Sequence, residues 1–253
     1  MEIVVMTLAI MLASAASLGL AAAVFVRKGT QAKLIAATLP IGAGVLLAAA
    51  LFDLLPEAIE HADVHDMMMW LAIGFLVFFL LERLAPGFHR HHEHDVKRAR
   101  DEHQNRSLVS SDLLHHCIDG MAIGAAFLVS IPTGVVTVLA VALHEVPKEL
   151  GTFGILLSRG WSTTKAVVAN AITAIGTVVT AVVVYMIGAD VDGFTPALLA
   201  LTAGLFIYIA ASDIIPDIHE QPRRRGRVQA IVLVATVVAI AVLIETVRGL
   251  AAH

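Results

Sequence analysis

Two short stretches hold most of the side chains that could do chemistry. One reads His115-His116-Cys117-Ile118-Asp119-Gly120 and the other His144-Glu145-Val146-Pro147-Lys148-Glu149, each inside a long apolar run. Imidazoles and carboxylates in the middle of hydrocarbon-length segments are expensive, so by default they mark a site or a path. On a helix His115 and His116 each share a face with Asp119, and so do His144 with Lys148 and Glu145 with Glu149. Only a Ser130-Ile131-Pro132 turn separates the two runs, which predicts antiparallel neighbours. That brings His115, His116, Asp119, His144, Glu145 and Glu149 within reach of one another. Imidazole plus carboxylate suits Zn²⁺, Fe²⁺ or Mn²⁺ and is too nitrogen-rich for a dedicated Mg²⁺ or Ca²⁺ site. Each ligand must be deprotonated, so metal should compete with protons. The plainer alternative is a network of interhelical hydrogen bonds. Pro147 cannot donate to the carbonyl of Leu143, so a loosened turn is expected beside these residues.

The elements that position them follow from composition. A chain of 253 residues that is 58% hydrophobic and 15% charged is not an ordinary soluble domain. Its apolar residues come in runs of roughly twenty, the length that crosses a ~30 Å hydrocarbon layer. The candidate spans are Ile3–Val26, Leu34–Ile59, Met67–Leu84, Leu108–Val129, Thr133–Leu157, Thr164–Ile187, Thr195–Pro216 and Val228–Val247. The expectation is an all-α polytopic membrane protein with eight transmembrane helices, residues 1–253 forming a single transmembrane domain. At 1.5 Å per residue, Asp119 and His144 each fall roughly 16 Å inside their spans, near the midplane. The single cysteine, Cys117, excludes an intramolecular disulfide framework. The first segment reads as a retained helix and not a signal peptide. No nucleic-acid partner is expected.

Basic residues set an orientation. All lysines and arginines except Lys148 and Arg248 flank alternate connections, while Glu60, Asp63, Asp66, Asp190 and Asp192 occupy the opposite ones. Both termini should therefore face away from the cytoplasm, in the cell membrane (the inner membrane of a Gram-negative cell). Residues 86–107 form a polar cytoplasmic loop with His89, His91, His92, His94 and His103, which is either a metal-collecting tract or a plain linker. Asp53-Leu54-Leu55-Pro56-Glu57 in the second span echoes Asp213-Ile214-Ile215-Pro216-Asp217 in the seventh. These spans run in opposite directions, as in an inverted-repeat transporter, here arranged 3+2+3. Asp53, Glu57, Asp213 and Asp217 then read as gates at the two mouths, or as ordinary helix-end acids. Gly120 and Gly124 permit close backbone approach in the fourth span.

These residues resemble the ZIP family of divalent-metal transporters, above all its LIV-1-type branch. His115-His116-Cys117-Ile118-Asp119-Gly120 is similar to that family's His-Asn-x-x-Asp/Glu-Gly segment. His144-Glu145-Val146-Pro147-Lys148-Glu149-Leu150-Gly151 is similar to its His-Glu-x-Pro-His-Glu-x-Gly-Asp signature. The resemblance implies uptake of Zn²⁺, with Fe²⁺ or Mn²⁺ as further candidates, by alternating access in a homodimer. The metal is substrate, with no separate cofactor. It implies one metal site on His115, Asp119 and His144, a neighbouring one on His116, Asp119 and Glu145, and a moving unit of the second, fourth, fifth and seventh helices. Lys148 departs from the signature, where a second His stands; protonated, it would repel metal, pair with Glu145, Glu149 or Asp119, or substitute for one of two cations. The sixth span offers Asn170 and Thr173 but no bridging acid, so one principal metal is expected.

Two other classes compete. An intramembrane metal-dependent hydrolase could use the same ligands to activate water, but the chain has His-Glu-x-x-Lys where the common hydrolase motif has His-Glu-x-x-His. A metal sensor needs the site and no path. Acids near both membrane faces favour a carrier and no enzyme.

Overall fold

The computed structural model describes residues 2–26, 31–84, 102–188, 191 and 193–251, and every regular element among them is helical. They are α1 (Glu2–Val26), α2 (Gln31–Ala48), α3 (Leu55–His61), α4 (Val64–Leu84), α5 (Glu102–Val129), α6 (Ile131–Ser158), α7 (Thr163–Gly188), α8 (Phe194–Tyr208), α9 (Ile215–His219) and α10 (Arg223–Ala251). Helices are the natural answer to these runs, because a backbone in hydrocarbon must satisfy its own N–H and C=O groups. Among the described residues, seven stretches are long and apolar enough to cross a membrane. An eighth helix, α6, has 28 residues but carries Glu145, Lys148 and Glu149 in its interior. The chain is thus an all-α polytopic membrane protein with seven to eight long apolar helices. Their outward faces are apolar, with Leu12, Met186, Ile231 and Val242 each more than half exposed, as lipid-facing side chains would be.

α5 begins at Glu102, so the expected 86–107 loop is shorter than the sequence suggested. Helix formation thus continues past the apolar run. α5 and α6 are joined by Ser130 alone. Its extended backbone and its Oγ, which accepts from the Thr133 N–H at 3.2 Å, start α6, with Pro132 in the first turn. The pair is the antiparallel hairpin expected.

Among the described residues the helical backbone opens at two places, neither of them Pro147. Helix α6 runs unbroken through that proline. Instead, a π turn over Ala49–Leu54 joins α2 to α3, and another over Ile209–Ile214 joins α8 to α9. In each the residue before proline donates five residues back, Leu55 N–H to Ala50 O and Ile215 N–H to Ala210 O. Pro56 and Pro216 lack an N–H, and their rings crowd the carbonyl four residues earlier. Widening the turn ahead of them relieves that crowding. The two stretches matched in sequence therefore also share a backbone irregularity.

The packing divides the helices differently from the expected moving unit. α5 makes its most extensive contact with α7, and α8 with α4, so the second, fourth, fifth and seventh spans are not a self-contained group. Small residues explain the α5–α7 seam. A Cβ at Gly120 would sit 2.4 Å from the Thr177 carbonyl oxygen, and one at Gly124 2.6 Å from that of Ala181. Backbone contact this close admits only glycine, and it brings the functional face of α5 onto α7.

Candidate metal centre

His144 lies near the middle of α6, thirteen residues from Ile131 and fourteen from Ser158, or roughly 20 Å from either end. α2 approaches it closely at Gly42, where a Cβ would lie 3.1 Å from the His144 Cα. From α5, His115 and Asp119 point at the same spot. Together with Glu145 they form a buried set of four donors whose ligand atoms lie within 4.8 Å of one another.

The separations are informative. His115 Nε2 lies 3.2 Å from His144 Nε2, 3.6 Å from Asp119 Oδ2 and 3.5 Å from Glu145 Oε1. His144 Nε2 lies 3.7 Å from Asp119 Oδ1 and 3.6 Å from Glu145 Oε1. A tetrahedral ion with bonds of ~2.0–2.2 Å has ligand–ligand edges of about 3.3–3.6 Å. The five separations from the two imidazoles already stand near those edges, one Asp119 oxygen facing each ring. Neither oxygen of Asp119 has a hydrogen-bond donor among the described residues, although the side chain is fully buried. A buried carboxylate without donors is costly unless a cation answers it. His144 Nδ1 faces the Ala140 carbonyl at 3.4 Å, an arrangement that places a proton on Nδ1 and leaves the Nε2 lone pair free. Phe78 of α4 and Phe206 of α8 wall the two imidazoles, with ring centroids 6.2 Å from His115 and 6.3 Å from His144.

On the other side of Glu145, His116 and Glu149 form a second buried group with it. His116 Nε2 lies 3.4 Å from Glu145 Oε2, and its Nδ1 is 3.0 Å from the Thr177 hydroxyl, which fixes the ring. A cavity of about 20 Å³ borders this group, with Ser17 of α1 and Thr177 of α7 in its wall, room for a water or an ion.

Lys148 is the positive charge of the site. Its ammonium lies 2.8 Å from Glu145 Oε1 and 3.0 Å from Asp112 Oδ1. Of the partners the sequence suggested, Glu145 is one; Asp112 was not foreseen. It stands one turn before His116, and that i,i+4 spacing was the available signal. Thr173 donates to Asp112 Oδ2 at 2.8 Å. Asn170, one turn before Thr173 on α7, is buried with neither amide atom hydrogen-bonded among the described residues.

The other expected positions lie elsewhere. Asp53 is buried in the first π turn. Glu57 is partly exposed, 3.6 Å from His61 Nδ1, and Asp217 is partly buried in α9. Among the described residues, Asp53, Glu57 and Asp217 do not join the groups around His144 and His116. The side chain of Asp213 and the loop histidines His89, His91, His92 and His94 fall outside the described residues.

Comparison with known proteins gives the chain its relatives. A family profile described as "ZIP Zinc transporter" matches residues 2–107 and 91–245. "Zinc transporter zipt-7.1" of Caenorhabditis briggsae is 30% identical over 240 residues, covering 72% of this chain and 61% of that protein. "Zinc transporter YKE4" of Saccharomyces cerevisiae is 33% identical over 202 residues, 69% of this chain and 58% of that protein. Human "Zinc transporter ZIP6" is 35% identical over 143 residues, 53% of this chain but 19% of its own length. The chain thus spans at most about three-fifths of the length of these curated relatives.

Proposed function

Because the chain belongs to the ZIP family, we propose that it carries divalent metal ions, Zn²⁺ first and Fe²⁺ or Mn²⁺ next, across the cell membrane into the cytoplasm. The observation that carries this is the group His115, Asp119, His144 and Glu145, four buried donors from two helices at tetrahedral separations halfway along α6. All three transition-series candidates accept such nitrogen and carboxylate donors. His116 and Glu149, which share Glu145 with that group, form an auxiliary position that the same ion would occupy in turn.

In this reading eight helices cross the bilayer with both termini outside, arranged as an inverted 3+2+3, and two copies of the chain associate. Asp53 and Glu57 lie toward the outer mouth and Asp213 and Asp217 toward the inner one, with Lys148 and Asn170 on the path beside the central site. The paired π turns support the repeat, because the same irregularity recurs ahead of Pro56 and Pro216. Residues 86–101 with their histidines would collect metal on the inner side. Catalysis is not part of this role: the acids near both ends of the bundle suit a path through it.

The test is Zn²⁺ influx into proteoliposomes holding an indicator dye, with His144→Ala as control. Saturable influx lost in the variant is expected. Zn²⁺ binding by the wild type with no flux in either direction would refute the carrier and leave a sensor.

A further inference from the structure

We infer that Asp112 and Lys148 together stand in for a second metal ion, so that the buried site takes one divalent cation at a time. The inference rests on reading the His115–His144 group as a site for transported metal. Two carboxylates hold the Lys148 ammonium, Glu145 Oε1 at 2.8 Å and Asp112 Oδ1 at 3.0 Å, and His116 Nε2 lies by the other oxygen of each, 3.4 Å from Glu145 and 3.7 Å from Asp112. The ammonium is thus a cation held between two carboxylates beside an imidazole, and it shares Glu145 with the four-donor group. The chain supplies that charge itself.

Asp112 makes this work. Its Oδ2 accepts from Thr173, whose hydroxyl also reaches the Asn170 carbonyl at 2.9 Å, so the carboxylate is held on α7 and does not follow the lysine. Lys148 is thereby kept between two anions. Without Asp112 it would bear on Glu145 alone, a carboxylate that the first metal also needs. Without the ammonium, Asp112, Glu145 and His116 would be open to a second ion.

The opposite signs of these two changes supply the test. Zn²⁺ bound at equilibrium is counted by elemental analysis on the purified full-length chain, with His89, His91, His92, His94 and His103 replaced by serine in every variant. The parent should bind one ion at the buried site. Lys148→Met should bind two, a gain that misfolding cannot produce. Asp112→Asn should still bind one, with Kd raised about tenfold by the unshared charge on Glu145. The double variant should return to a Kd near the parent's, which a merely structural role for Asp112 would not restore.

A parent that binds two ions, a Lys148→Met that binds one, or an Asp112→Asn with unchanged Kd overturns the inference; so does a parent that binds none. Because the assay reads binding without flux, one bound ion with no transport would fault the carrier and leave this inference standing.

Discussion

His115 Nε2 and His144 Nε2 face each other across 3.2 Å from adjacent helices. At that distance the pair can hold one shared proton or one metal ion between them, and a second positive charge is repelled. Zn²⁺ affinity should therefore fall as the pH is lowered, by up to about tenfold per pH unit for each proton displaced. Binding isotherms over a pH series measure this. A pH-independent Kd would mean that the imidazoles are not ligands.

Removing a ligand should cost more than disturbing its support. Loss of an outer-shell partner typically weakens a metal site by ~10–100-fold. His115→Ala or His144→Ala should weaken Zn²⁺ binding by about 100-fold or more, whereas Thr177→Val, which only frees the His116 ring, should stay within about tenfold. Competition titrations with a chelating dye give both values. Equal losses would mean that His116 belongs to the principal site.

Selectivity follows from donor type. With two imidazoles among the four donors, Cd²⁺ and Co²⁺ should displace Zn²⁺, while Mg²⁺ in large excess should not, since it takes oxygen ligands in octahedral geometry. Displacement by Mg²⁺ would argue for an all-carboxylate site elsewhere in the chain.

The α5–α7 seam makes a stability prediction. A Cβ at Gly120 cannot coexist with the Thr177 carbonyl at 2.4 Å, so the two helices must separate. Overpacking of this kind costs about 1–3 kcal/mol. Gly120→Ala should lower the Tm of the purified protein and weaken metal binding with it, because Asp119 and His116 move with α5. An unchanged Tm would mean that the seam is loose.

Pro56→Ala and Pro216→Ala restore an N–H and relieve the ring's crowding of the preceding turn, so each π turn should tighten toward an ordinary α-helix. Taking the extra residue out of the turn rotates the downstream helix by about 100°. Buried Asp53 lies in the first of these turns and is not among the donors around His144. Flux should drop several-fold in either variant while Kd for Zn²⁺ stays within about twofold. A matched loss of binding would place the π turns in the metal site itself.

That His115, His116, Asp119, His144, Glu145 and Glu149 come together was legible because helical spacing and a one-turn connection leave little freedom. Their division was not, since the family resemblance put His116 with Asp119 and Glu145, whereas the structure groups it with Glu145 and Glu149. Helix boundaries were legible to a few residues, except at Glu102, where helix continues beyond the hydrophobic run. Asp112 escaped notice because it stands near the start of that run, where an acid looks like solvent-facing trim; its partner Lys148 is on another helix, and only packing joins them. The π turns escaped for a related reason. Proline shows where a backbone bond is missing, but neighbouring helices decide how the chain adapts, and α6 absorbs Pro147 without opening.

Among the described long helices α6 carries three charged residues close together in its interior, and it is the one that bears His144 and Glu145. On insertion scales a charged residue at a helix centre costs ~2.5–3.5 kcal/mol, against ~0.3–0.6 gained from each Leu, Ile, Phe or Val. Glu145, Lys148 and Glu149 together cancel most of what the apolar residues of α6 contribute, so α6 has little tendency to enter the bilayer as a solitary helix. Its single-residue link to α5 offers a remedy, because the two can leave the translocon as a hairpin with Lys148 already opposite Asp112. Assembly of the site and insertion of the fifth long helix are then one event, and a substitution that unpairs the charges should be felt as poor membrane integration before it is felt as poor transport.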